Sequence, residues 1–153
     1  MGPMANARLI DAMDALLRDA RARRDNRLRW RPHWQFRVLW APTVVTDAPD
    51  DAALATSEIF GPILSIYRFT DLDDAIRRAN ATPVGLAAYA FAGSASGTRV
   101  LSRGLRAGMV GINTTHIASP PTPFGGVRDS GWGRIGGREG LVDCLDMKLV
   151  AYG

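Results

Sequence analysis

Between Gly61 and Ile112 the chain alternates apolar runs of strand length with helical stretches, and this alternation limits the possible folds more than any other feature. Ile63, Leu64, Ile66, Tyr67 and Phe69 form the first run, apolar on both faces as a buried strand requires; Gly85 to Phe91 forms the second and Met109 to Ile112 the third. Thr70 or Asp71 supplies an N-cap for a helix through Leu72, Ala75, Ile76 and Ala79, which ends near Asn80 ahead of Pro83. Ser94 or Ser96 caps a second helix carrying Val100, Leu101 and Leu105, and Gly108 is placed to stop it. Strand, helix, strand, helix, strand at these lengths predicts right-handed crossovers and a parallel sheet of buried strands, an α/β fold.

The flanks extend this pattern. Residues 5 to about 25 place Leu9, Ile10, Met13, Leu16, Leu17 and Ala20 at helical spacing, as expected of a packing helix with no chemistry of its own. Thr43-Val44-Val45-Thr46 is a short β-branched strand, and Asp47 to Asp51 a turn and helix start. Beyond Asn113 an irregular stretch with Pro120, Pro121 and Pro123 cannot continue a central strand. Long loops in compact domains are usually functional or disordered, and Phe124-Gly125-Gly126 is expected to reach back over the strand ends. Met147 to Tyr152 reads as a terminal strand whose unpaired edge suits subunit pairing.

The stretch with the most chemistry is Ser57-Glu58-Ile59-Phe60-Gly61-Pro62. Residues two apart share a face in extended chain, so Glu58 and Phe60 point the same way from a turn stiffened by Gly-Pro. A carboxylate can accept from hydroxyl groups while the aromatic ring stacks on a flat ligand. Since parallel sheets bind ligands outside their carboxyl ends, Phe60 and Phe124 are both candidates to face one cleft. The competing reading is a solvated Glu beside a core Phe, with Phe124 a hydrophobic plug.

Composition bounds the rest. At 153 residues, 46% apolar and 22% charged, the chain is the size of one soluble domain, taken here as residues 1–153. No run of eighteen apolar residues suggests a membrane span, and no apolar core of a signal peptide is visible, so the expected location is the cytoplasm. A single cysteine, Cys144, fits a reducing compartment. His33 and His116 are the only histidines, and no cluster of ligands accompanies either, so no metal site is expected.

The net charge of +4 is local in origin. From Arg21 to Arg37 seven arginines face one aspartate, Asp25, which gives +6 there and leaves −2 for the remainder. Residues 23–40 have no helical period, carry three tryptophans, and contain no glycine; none occurs between Gly2 and Gly61. Three readings stand for this basic segment: an out-of-frame GC-rich stretch, a basic surface loop, or a nucleic-acid-binding patch with guanidinium groups on phosphates and indoles under bases. Nucleic acid is the least favoured of the three.

Glu58-Ile59-Phe60-Gly61-Pro62, then Gly108-Met109-Val110-Gly111-Ile112-Asn113, then Pro123-Phe124-Gly125-Gly126 through Ser130-Gly131, then Gly133-Arg134, occur in one order. Together they resemble the C-terminal part of the aldehyde dehydrogenase superfamily, in its succinate-semialdehyde dehydrogenase-like branch. The resemblance covers about Ala41 to Gly153 and, more weakly, the first twenty-odd residues. It implies a parallel three-layer αβα sheet, part of an aldehyde dehydrogenase catalytic domain, with a terminal oligomerisation strand. It also implies NAD or NADP as cofactor, held in part by Glu58 on the nicotinamide ribose and Phe60 near the nicotinamide, and Phe124 lining the aldehyde funnel.

Catalysis in this family uses a cysteine thiolate on the carbonyl, hydride transfer to the nicotinamide, and a glutamate that activates water. The resemblance places that cysteine, that glutamate and the Rossmann half upstream of the segment seen here, so no catalytic residue is assigned. Cys144 sits in a short apolar stretch and reads as a packed small hydrophobe. Ile135 stands where relatives carry an acidic residue. The expectation is a fragment, inactive alone and not holding NAD(P) tightly, that associates with copies of itself or with a full-length relative. A non-catalytic interaction module and a basic nucleic-acid-binding protein are the alternatives.

Overall fold

The computed structural model describes residues 2–23 and 38–153; the expectations for His33 and most of the basic segment lie outside these residues. The described chain forms two compact units, Met1–Thr70 and Asp71–Gly153.

In the first unit α1 (Ala7–Ala22) starts at Asn6, whose side chain accepts from the Leu9 N–H. Its apolar face, Met13, Leu16, Leu17 and Ala20, is buried against Val45, Ala48, Ala52, Leu54 and Ile63. β1 (Thr43–Thr46) and β2 (Ile63–Ile66) pair in parallel, with Thr43 opposite Ile63 and Thr46 opposite Ile66. Between them lies α2 (Ala53–Thr56), a single turn. Gly61 must be bare for this packing, because a Cβ there would collide with the Met13 thioether. β2 departs from expectation. It is four residues long, and Leu64 and Ile66 are exposed at 59% and 43%, so only one of its faces is covered as a parallel strand demands.

The second unit starts with α3 (Leu72–Ala79), capped by Asp71, which accepts from the Asp73 and Asp74 N–H groups. β3 (Val84–Gly85) and β4 (Ala87–Ala90) follow, then α4 (Ala95–Gly104), capped by Ser94, and β5 (Met109–Ile112). β6 (Val127–Arg128) and the short α5 (Glu139–Val142) complete it. β4 and β5 are parallel in the register Ala87 to Met109 through Ala90 to Ile112, whereas β3 pairs antiparallel with β6.

The α/β class holds, with helices packed on parallel ladders, but among the described residues the ladders fall into three two-stranded sheets. The expected strand Gly85–Phe91 is divided at Leu86, because Val84 and Gly85 turn to β6 while Ala87 to Ala90 serve β5. Gly108 does not stop α4; the helix ends at Gly104, where Leu105 takes an extended conformation. Residues 147–152 form no strand in this chain. A strand needs a ladder partner, and Met147, Leu149 and Tyr152 stand 92% or more exposed.

Candidate functional site

In the first unit Glu58 and Phe60 line one open cleft of about 560 Å³, together with Leu9, Met13 and Leu16 of α1 and Asp19. Both residues named from the sequence thus border the same cleft. α2 brings them there: its C-cap Ser57 is extended, and the chain runs from it straight into Glu58. Phe60 is 66% exposed, so it is a surface ring beside a carboxylate rather than a core residue. An exposed carboxylate can accept from a diol, and an exposed ring can cover a flat heterocycle.

Asp19 is the residue in this cleft that sequence reasoning passed over as part of a packing helix. Its Oδ2 accepts from the Ala53 N–H at 2.7 Å, and its Oδ1 from Arg23 Nε at 2.8 Å. Arg23 in turn donates to Asp51 at 2.6 Å. The Ala53 N–H first, and the Arg23 guanidinium second, hold the Asp19 carboxyl below the ordinary carboxylate range. An Asp and an Arg four apart on a helix was the available signal, but nothing local pointed to Ala53.

In the second unit Phe124 exchanges both backbone hydrogen bonds with Ile135, at 2.7 and 2.8 Å. The two glycines after it are clamped: Arg134 Nη1 donates to the Gly126 carbonyl at 2.7 Å, and Gly125 packs against Gly108. Gly108 immediately precedes β5, and β6 pairs with β3 just before β4. Gly125 and β6 thus lie by the amino ends of β4 and β5. The reason lies in the anchors, since Arg128 and Ser130 both bind groups beside β3. The carboxyl end of β5 is occupied instead by Asn113, whose side chain donates to and accepts from Ala92.

Cys144 is exposed, which corrects the expectation of a packed small hydrophobe; its thiol donates to the Gly140 carbonyl at 3.7 Å. Ile135 is 69% exposed, its backbone serving Phe124 while its side chain faces solvent.

The model of the Aldehyde dehydrogenase family matches residues 1–150. The chain belongs to the aldehyde dehydrogenase family. The match runs through the basic segment and so reaches further toward the N-terminus than the motifs alone. Among its aldehyde dehydrogenase relatives, a probable succinate-semialdehyde dehydrogenase (NADP(+)) of Sinorhizobium fredii (strain NBRC 101917 / NGR234) is 40% identical over 155 residues, which is 100% of this chain and 31% of that relative. The crystal structure of an E. coli NADP-dependent enzyme superposes with a TM-score of 0.90 at 34% identity, over 97% of this chain and 31% of that one. That of succinate-semialdehyde dehydrogenase from Burkholderia pseudomallei does so with a TM-score of 0.83 at 34% identity, over 94% and 30%. The chain thus spans about a third of the length of the aldehyde dehydrogenases it matches.

Proposed function

We propose that this chain is a segment of an NAD(P)-dependent aldehyde dehydrogenase that receives the nicotinamide end of the cofactor and the approaching aldehyde, and that the 153 residues alone do not turn over. Glu58 accepts from the nicotinamide ribose hydroxyls, Phe60 packs near the nicotinamide, and Phe124 lines the path of the aldehyde. The observation that carries this reading is the common cleft of Glu58 and Phe60, with both groups exposed. When bound, the nicotinamide accepts hydride; this chain's part is to bind and orient it. The names of the relatives favour succinate semialdehyde as substrate, a small aldehyde with a distal carboxylate. We place the protein in the cytoplasm; among the described residues no helix is long and apolar enough to cross a membrane.

One observation supports inactivity alone. The only cysteine, Cys144, is exposed, and its thiol donates to the Gly140 carbonyl of α5 at 3.7 Å. Titration of the isotope-labelled chain with NADP(+) at millimolar concentration tests the cofactor reading. Resonances of residues 58–60 are expected to shift, weakly and saturably, and a response confined to other residues would overturn it.

A second reading, a non-catalytic module that docks on a full-length relative or on copies of itself, is favoured by one observation. Met147, Leu149 and Tyr152 present apolar side chains almost wholly to solvent.

A further inference from the structure

α2 is one turn long, and a single turn is too short to hold itself together. Its N-cap position is Ala52, which has no side-chain acceptor to offer the first free N–H groups. That acceptor comes instead from a helix 34 residues earlier: Asp19 takes the Ala53 N–H at 2.7 Å. Asp19 is itself held in place by Arg23, which reaches on to Asp51 just ahead of the turn. Four residues after Ala53 the chain leaves α2 at Ser57 and delivers Glu58 and Phe60 to the cleft that Asp19 also lines.

We propose that Asp19 is a positioning residue for the Glu58–Phe60 pair: by capping α2 from α1, it fixes the direction in which that pair enters the cleft, so that a nicotinamide ribose meets a preset carboxylate and ring. This rests on the reading of Glu58 and Phe60 given above. Asp19 is assigned no ligand contact: each of its oxygens already accepts from a group of the protein, Ala53 N–H or Arg23 Nε. Its effect passes through the backbone of residues 53–57. Preorganisation of this kind raises affinity by removing the cost of ordering the loop on binding.

The test uses the 153-residue chain, with amide hydrogen exchange and titration by reduced nicotinamide mononucleotide followed at residues 58–60. Asp19→Ala is expected to speed exchange at Ala53, Ala55 and Ser57 roughly five- to tenfold, as loss of a cap does, while β1 and β2 keep their protection. The same variant is expected to weaken the mononucleotide by a similar factor, and Asp19→Asn, which keeps an acceptor oxygen, should recover part of both. Glu58→Gln separates the two claims: it should abolish the mononucleotide response and leave exchange at 53–57 unchanged. Normal exchange and normal titration in Asp19→Ala overturn the positioning role. Accelerated exchange in Asp19→Ala with titration equal to wild type also overturns it, because α2 would then be a structural turn only. A Glu58→Gln chain that binds the mononucleotide as wild type does overturns the nicotinamide reading instead.

Discussion

A Cβ added to Gly108 would run into the carbonyl oxygen of Gly125, so the loop after Phe124 lies directly on the backbone that leads into β5. No flexible side chain is available to give way, because the obstacle is main chain. Gly108→Ala is therefore expected to cost about 3 kcal/mol or more, at the upper end for overpacking. It should also release Phe124. Chemical denaturation checks the first effect, and loss of exchange protection at the Phe124 and Ile135 amides checks the second.

Arg128 holds the same region from the other side. Its Nη1 donates to the carbonyls of Asn80 and Thr82, at 3.0 and 2.5 Å, and its Nη2 to that of Arg106, at 2.9 Å, with the backbone at a φ of 57°. Three carbonyls from two loops thus share one guanidinium. Arg128→Met removes the donors and leaves the carbonyls in place, for an expected loss of about 2–3 kcal/mol. Arg128→Lys should recover only part, since a single ammonium cannot reproduce the fork. Thermal unfolding of the two variants against wild type measures this.

The Asp19 carboxyl makes stability depend on pH in a defined direction. Its folded-state pKa lies below its unfolded value, held there by the Ala53 N–H and by Arg23. The folded state then binds its proton less readily, so the contribution is complete above the unfolded value of about 3.9 and is lost as pH falls through the folded one. The stability gap between wild type and Asp19→Asn is expected to be constant from pH 7 to about 5 and to narrow below about 4. Urea midpoints taken across that range check it; a gap that widens in acid would reverse the sign.

Local signals carried much of the fold. Of the two cap candidates at each helix, Asp71 and Ser94 are the ones used, and β1, the α3 span and β5 fall where β-branched and helical periods put them. What failed was non-local. That Val84 and Gly85 leave β4 for β6 depends on Arg128, more than forty residues away, and on the Ser130 hydroxyl that accepts from the Gly85 N–H. No periodicity encodes such a pairing. The Glu58 and Phe60 pair was legible because residues two apart on an extended segment share a face. Asp19 was not, because its partner Ala53 is chosen by how α1 packs, and the return of Gly125 onto Gly108 was not, for the same kind of reason.

Apolar surface left open predicts association. In the second unit Ala90 and Met109 are the buried hydrophobic residues, while Phe91, Trp132, Leu145, Leu149 and Tyr152 are more than two-thirds exposed. Sedimentation at micromolar concentration is expected to show oligomers or aggregates, shifted toward monomer on deletion of residues 147–153. A well-behaved monomer that the deletion leaves unchanged would mean that the terminal segment plays no part in association.

We propose that the chain carries a cofactor-facing piece of an aldehyde dehydrogenase and does not turn over by itself. The most direct measurement is formation of NADH or NADPH by the purified 153-residue chain with succinate semialdehyde and either cofactor. No turnover above the enzyme-free rate is predicted, with the Cys144→Ser variant indistinguishable from wild type. Turnover that Glu58→Ala abolishes and Cys144→Ser preserves would contradict it, because a nucleophile other than the only cysteine would then be at work.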